Sequence, residues 1–152
     1  DSDIESFPLP KPKVSGYNLA YTGLKSHLGR MIEKEPRDEN GKIPEKRVKE
    51  YARSTEVAFV NQLLDKLEKA ALEKGVKQVV IGGGVSANSY LRAEAKRRFE
   101  NSEIELVIPP LWCTTDNAAM IAKAAHHMIE LNRFAGLDMT SQPDRDLEEE
   151  SN

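Results

Sequence analysis

One segment constrains this chain more than any other: the β-branched run Val79-Val80-Ile81 breaks into three consecutive glycines, Gly82-Gly83-Gly84, and then re-enters helix-forming sequence through Val85-Ser86-Ala87-Asn88. The order predicts a strand, a tight loop and a helix start. Glycine reaches positive φ without a Cβ clash, and the first turn of the next helix offers unpaired N–H groups to an anion. A phosphate or nucleotide cradle fits that arrangement. So does a plain sharp turn in an α/β domain, and from these residues alone both readings stand.

At 152 residues, 39% hydrophobic and 31% charged, the chain is long enough for one domain with a real core, or for part of a two-lobed protein. The formal charge of −3 argues against a surface that binds nucleic acid by phosphate neutralisation alone. That charge is unevenly spread. Six acids against Arg145 give residues 138–152 a charge of −5, which leaves a mildly basic +2 on the remainder. Cys113 is the single cysteine, so neither an intrachain disulfide nor a cysteine-built zinc site forms, which suits a reducing cytosol. The first six residues are acidic and no apolar run approaches bilayer-spanning length. A cytoplasmic location without a membrane partner is expected.

Three alternating prolines in Phe7-Pro8-Leu9-Pro10-Lys11-Pro12-Lys13 remove backbone donors and favour an extended lead-in over residues 1–14. A lobe is expected over residues 15–135. Within it Tyr17–Tyr21 reads as a short strand, and Thr22 as the cap of a helix carrying Leu24, Leu28, Met31 and Ile32. After a loop at Asp38–Gly41, Pro44 sits in the first turn of a long helix. Its apolar residues Val57, Val60, Leu64, Leu67 and Ala71 recur at three- and four-residue steps until Gly75 ends it. Val76–Ile81 has the continuous apolar character of a strand covered on both faces. Ser86 then caps a helix with Ala87, Leu91, Ala95 and Phe99 in a stripe, while Arg92, Lys96 and Arg97 point elsewhere. A second strand, Ile104–Ile108, stops at Pro109-Pro110, and Leu111–Thr115 lead to a last helix whose core side is Met120, Ile121, Ala124, Ala125 and Met128. Residues 136–152 read as a loose acidic tail.

Asp116 stands just before that last helix, where an acid ordinarily caps the helix or complements its dipole. Two helix starts, each following a strand, converge at one edge of an α/β sheet, which is where open sheets bind ligands. One would supply N–H groups and the other a carboxylate, a pairing suited to a cation bridging a bound phosphate.

The runs Gly82-Gly83-Gly84-Val85-Ser86-Ala87-Asn88-Ser89-Tyr90-Leu91-Arg92 and Thr115-Asp116-Asn117-Ala118-Ala119-Met120-Ile121-Ala122 together resemble two motifs of the TsaD family, formerly called Gcp or O-sialoglycoprotein endopeptidase. The resemblance implies part of an α/β lobe of the actin-like ATPase architecture, ASKHA or ribonuclease H-like, helix-rich and incomplete relative to the family. The activity implied is transfer of a threonylcarbamoyl group from threonylcarbamoyl-AMP to N6 of adenosine 37 in tRNAs reading codons that begin with A. By the same resemblance Asn88, Gly83 and Gly84 would bind the substrate or nucleotide, ATP or an acyl-adenylate. Asp116 would bind one divalent metal ion, iron or zinc, and protein partners would be of the TsaB and TsaE type. No residue is assigned a catalytic role.

Three departures qualify the resemblance. The family's other metal ligands lie in a His-x-x-x-His helix, a spacing this chain lacks, and His27, His126 and His127 do not replace it. The family's cysteine stands two places before the aspartate, whereas here Thr114 does and Cys113 is one place earlier. Where the family often has Phe-Gln, the long helix has Thr55-Glu56, which weakens a core contact. The chain is therefore expected to be the C-terminal part of a longer protein and inactive alone. The other readings of these motifs are a small-molecule kinase of the same architecture, a metallopeptidase, and a non-catalytic scaffold lobe built on the long helix.

Overall fold

A computed structural model describes residues 4, 6–138 and 140. The chain divides into two compact units, one running to Thr115 and the other starting at Asp116. The first unit holds helices α1 (Thr22–Glu33), α2 (Glu45–Lys74) and α3 (Ser89–Phe99) and strands β1 (Gln78–Val80) and β2 (Glu105–Val107). The second holds α4 (Ala118–Glu130). Residues 139 and 141–152, most of the expected acidic tail, lie outside the described residues.

The strands pair in parallel, Gln78 with Glu105, Val79 with Leu106 and Val80 with Val107, with α3 as the crossover. Each is three residues long, shorter than the apolar runs that predict them, and β1 is not covered on both faces. Val79 is buried while Gln78 and Val80 are exposed. With only two strands among the described residues, helices shield one face and the pleat turns every second side chain to the other.

Two clusters form the core. Val60 and Leu64 of α2 meet Leu91 and Ala95 of α3. Ala71 of α2 joins Val79, Phe99 and Ile104. Leu64, Leu91 and Ala95 are essentially inaccessible, and burying each leucine contributes about 1.5–3 kcal/mol. Ala87 is exposed, so the buried stripe of α3 begins at Leu91. Gly75 ends α2 in the left-handed region at φ 62°, and Val76 N–H closes the turn onto Ala71 O.

Tyr17–Tyr21 is not a strand. The segment lies along α2, where Tyr17 Oη donates to Glu73, Tyr21 stacks on Phe59 with centroids 4.4 Å apart, and Ala20 O accepts from Gln62 Nε2. Its aromatic residues satisfy a helix surface rather than a sheet edge. Thr22 is the first residue of α1 and does not cap it, and Pro44 stands just before α2 rather than inside its first turn. The expected turn at Asp38–Gly41 forms, with Gly41 at φ 73° and its N–H on Asp38 O. The lead-in is tied to α2 as well. Phe7 N–H donates to Ser54 Oγ, and the Phe7 ring meets Tyr51 edge-on.

α4 is the largest correction in the second unit. Its expected core side is not buried: Ile121 is 72% exposed, and no α4 residue is buried. The periodicity identifies a helix and its apolar face, and within the second unit no other helix or strand among the described residues packs on that face.

Polar contacts reinforce the α2–α3 seam. Arg98 of α3 reaches Asp65, Glu68 and Asn61 of α2 and Glu94 of its own helix. The Arg97 guanidinium, with Arg98 beside it, holds the Glu94 carboxyl down at about 2 against a burial effect that opposes the shift. A depressed carboxyl stabilises the fold above its ordinary value near 4.5, and that contribution is lost as pH falls toward about 2. Arg97 is largely exposed, so the contribution is on the order of 1–2 kcal/mol. Urea titrations at pH 7 and pH 2.5 should therefore show Glu94→Gln losing less stability between the two than the parent chain. Leu64→Ala should cost about 2–5 kcal/mol at either pH.

Candidate functional site

β1 delivers the chain into the glycines. Ile81 N–H donates to Val107 O at 3.0 Å, extending the ladder one residue past β1. Gly82, Gly83 and Gly84 then run exposed, and a Cβ built on any of them would meet nothing within 4 Å. Gly83 has φ 78°, the conformation that excludes other residues. A 3-10 turn follows over Gly84–Ala87. It is closed by Ser86, whose N–H and Oγ both donate to Gly83 O at 2.9 and 2.7 Å. Ser86 is fully buried and does not cap α3, contrary to expectation. The extra turn moves the helix start to Ser89 and gives the cap to Asn88.

Asn88 uses both ends of its amide. Oδ1 accepts from Leu91 N–H at 2.7 Å, completing the cap, and Nδ2 donates to Glu56 Oε1 of α2 at 2.9 Å. Glu56 also pairs with Arg53 at 2.9 Å, and the Arg53 guanidinium lies 4.1 Å from the centre of the Tyr90 ring. Thr55, at the other departure from the family pattern, is half-buried and donates its hydroxyl to Tyr51 O. Gly83, Gly84 and Asn88 thus fall within one short loop that leads into the N-terminus of α3.

β2 exits through Pro109-Pro110 into a 3-10 turn over Leu111–Cys113. Thr114 is buried there, its Oγ1 donating to Leu111 O at 2.7 Å. Arg92 joins the two exits: Nη1 donates to Ser86 O at 2.9 Å and Nη2 to Pro109 O at 2.8 Å.

Asp116 is the first residue of the second unit and is exposed. It does not cap α4; Asn117 does, its side chain accepting from Met120 N–H at 3.2 Å. Within the same unit His126 and His127 both turn to Glu130, at 3.3 and 3.4 Å, and are exposed. His27 is half-buried on α1. Among the described residues no group of three His, Cys, Asp or Glu side chains could hold a metal ion. The described residues by themselves therefore do not fit a metal ion, Asp116 standing among them as a lone carboxylate.

Sequence reasoning missed Glu56 and Arg92 as partners of the loop. A helix residue 32 positions upstream carries no local signal for contact with Asn88. Arg92 reads as one more solvent-facing cation until the parallel pairing brings Pro109 within its reach.

The Asn88–Glu56 contact has a measurable signature. Asn88→Ser keeps an acceptor for the cap, so it should cost less than Asn88→Ala, which should lose about 0.5–2 kcal/mol. Asn88→Asp also keeps the acceptor, but it sets a second carboxylate beside Glu56. Its penalty at pH 7 should therefore shrink in the Glu56→Gln background, as a double-mutant cycle by urea denaturation would report. Additive penalties would mean that the two side chains do not share this bond in solution.

A family model described as TsaD, tRNA N6-adenosine threonylcarbamoyltransferase, matches residues 1–123. Curated relatives bearing the same description include one from Christiangramia forsetii, 36% identical over 142 residues, which are 93% of this chain and 42% of that protein. Another, from Halalkalibacterium halodurans, is 36% identical over 147 residues, 96% of this chain and 41% of that one. A third, from Caldicellulosiruptor saccharolyticus, is 40% identical over 125 residues, 82% of this chain and 36% of that one. The chain thus spans about 40% of the length of the curated relatives it matches. With the glycine loop and Asp116 both inside the matched stretch, the chain belongs to the TsaD family.

Proposed function

We propose that this chain provides the nucleotide-side part of a tRNA N6-adenosine threonylcarbamoyltransferase, one lobe of the actin-like ATPase architecture. The observation that carries the proposal is the family match over residues 1–123, which spans the open glycine loop and the α3 N-terminus. The helix-rich α/β unit with its short parallel sheet is compatible with an incomplete lobe of that kind.

In this reading the N–H groups of the glycine loop and the first turn of α3 receive the phosphate of threonylcarbamoyl-AMP. Asn88 keeps one Nδ2 hydrogen and one Oδ1 lone pair beyond its bonds to Glu56 and Leu91, and these face the adenylate. The N6 amine of adenosine 37 attacks the carbamoyl carbon. A C–N bond forms and the acyl–phosphate C–O bond breaks. AMP leaves with the electron pair, and N6 gives up its proton to solvent water. Backbone N–H groups that already hold the phosphate stabilise the charge gathering on it as it leaves. No step is assigned to a metal, since Asp116 alone does not complete a site. An iron or zinc ion held by Asp116 together with ligands from outside this chain, and partners of the TsaB and TsaE type in the cytoplasm, belong to the same proposal.

The test is tRNA modification measured by nucleoside mass analysis. The chain alone should yield no threonylcarbamoyladenosine. Product should appear when a polypeptide carrying the remaining part of a family member is added with threonylcarbamoyl-AMP, and should fall at least 100-fold with Asp116→Asn or after chelation. Turnover by the chain alone, or release of ADP with small phosphate acceptors in place of nucleoside product, would overturn the assignment.

A further inference from the structure

We propose that Arg92 is a positioning residue whose guanidinium sets the spacing between the glycine loop and the loop that follows β2. The inference rests on the nucleotide reading above only for its functional consequence, because the spacing itself is a property of this chain.

Arg92 bonds to both strand exits at once. The ladder closes with Ile81 N–H on Val107 O, and beyond that point the two strand exits turn away into separate 3-10 turns. Side-chain packing does not anchor the glycines, which are exposed with open space where a Cβ would stand. Their geometry depends on hydrogen bonds. Arg92 supplies one to each exit, from Nη1 to Ser86 O and from Nη2 to Pro109 O. The base of that fork is firm: Arg92 N–H bonds Asn88 O at 3.1 Å in the first turn of α3, and its neighbour Leu91 is 1% exposed in the core. A planar guanidinium offers donors in fixed directions to two acceptors at once, whereas an ammonium is a single point on a flexible stem. Arginine is therefore the residue type that converts the seated position of α3 into a fixed distance between two backbone carbonyls. A phosphate cradled on one of the loops would be displaced if that distance relaxed, and misplacement on the order of 1 Å costs about 100-fold in rate in well-studied enzymes.

Amide hydrogen exchange on the full chain, read residue by residue by NMR, tests this. Four amides report: Ser86 and Asn88 in the first turn, Cys113 and Thr114 in the second, each hydrogen-bonded within its own turn. In Arg92→Ala, and to a lesser degree in Arg92→Lys, all four should exchange at least tenfold faster, while the core amides of Leu64 and Ala95 keep their parent rates. Guanidinium at tens of millimolar should restore slow exchange in Arg92→Ala alone. Acceleration confined to one turn, no acceleration, or equal acceleration at Leu64 and Ala95 in both variants would overturn the proposal.

A second readout follows the amide shifts of Gly83 and Gly84 under ATP titration. The Kd should rise about tenfold in Arg92→Lys, and an unchanged Kd also overturns the proposal. If ATP shifts neither amide in the parent chain, the nucleotide reading fails, and the exchange pattern alone decides the role of Arg92.

Discussion

The contact between α2 and α3 is the constraint on which the rest of the first unit depends. Leu64 on one helix and Leu91 with Ala95 on the other are almost wholly removed from water, and Arg98 ties the same seam through Asp65, Glu68 and Asn61. α3 is a short helix, so its position comes from this seam, an apolar stripe with the largely buried Arg98 and Glu94 beside it. Once the stripe is seated, the first turn of α3 has no freedom left. Asn88 is set opposite Glu56, and Arg92 is set within reach of both strand exits. The loop geometry is thus a downstream effect of a core contact centred on Leu91, three residues beyond Asn88.

What the sequence revealed divides along the same line. The strand, glycine loop and helix were legible in order because each has a local cause: β-branched residues, glycines that tolerate φ 78° at Gly83, and an apolar stripe at helical spacing. Gly75 was legible as a stop for the same reason, since only the local backbone matters there. Failures came where a distant partner decided. Tyr17–Tyr21 has strand-forming residues, yet α2 offers Glu73, Phe59 and Gln62 to them and no strand edge does. Ser86 has the chemistry of a cap, but the glycines permit a tighter turn first, and the buried hydroxyl returns to Gly83 instead. α4 shows the limit of periodicity: the pattern names the apolar face correctly and says nothing of what lies against it.

For the site residues, the order of the two motifs identified the family, while their chemistry in this chain came only with coordinates. Asp116 was legible as an acid ahead of a helix, and the cap proved to be its neighbour Asn117. The capping bond to α4 thus belongs to Asn117 and not to Asp116. Asn88 moved the other way. Expected as a ligand contact, it holds a structural post between Leu91 and Glu56.

That post bears on how the family pattern has changed here. Glutamine at position 56 could either donate to or accept from the Asn88 amide, so such a pair has two self-consistent orientations. Glutamate only accepts. With Glu56 in that place Nδ2 must point to α2, and the Leu91 N–H independently requires Oδ1 to point along α3. Both neighbours select the same orientation, and Arg53, paired with Glu56 and lying over Tyr90, offsets the added negative charge. One Nδ2 hydrogen and one Oδ1 lone pair of Asn88 remain beyond these two bonds. In this chain Glu56 and the Leu91 N–H together fix the Asn88 amide at the helix terminus where the glycine loop ends.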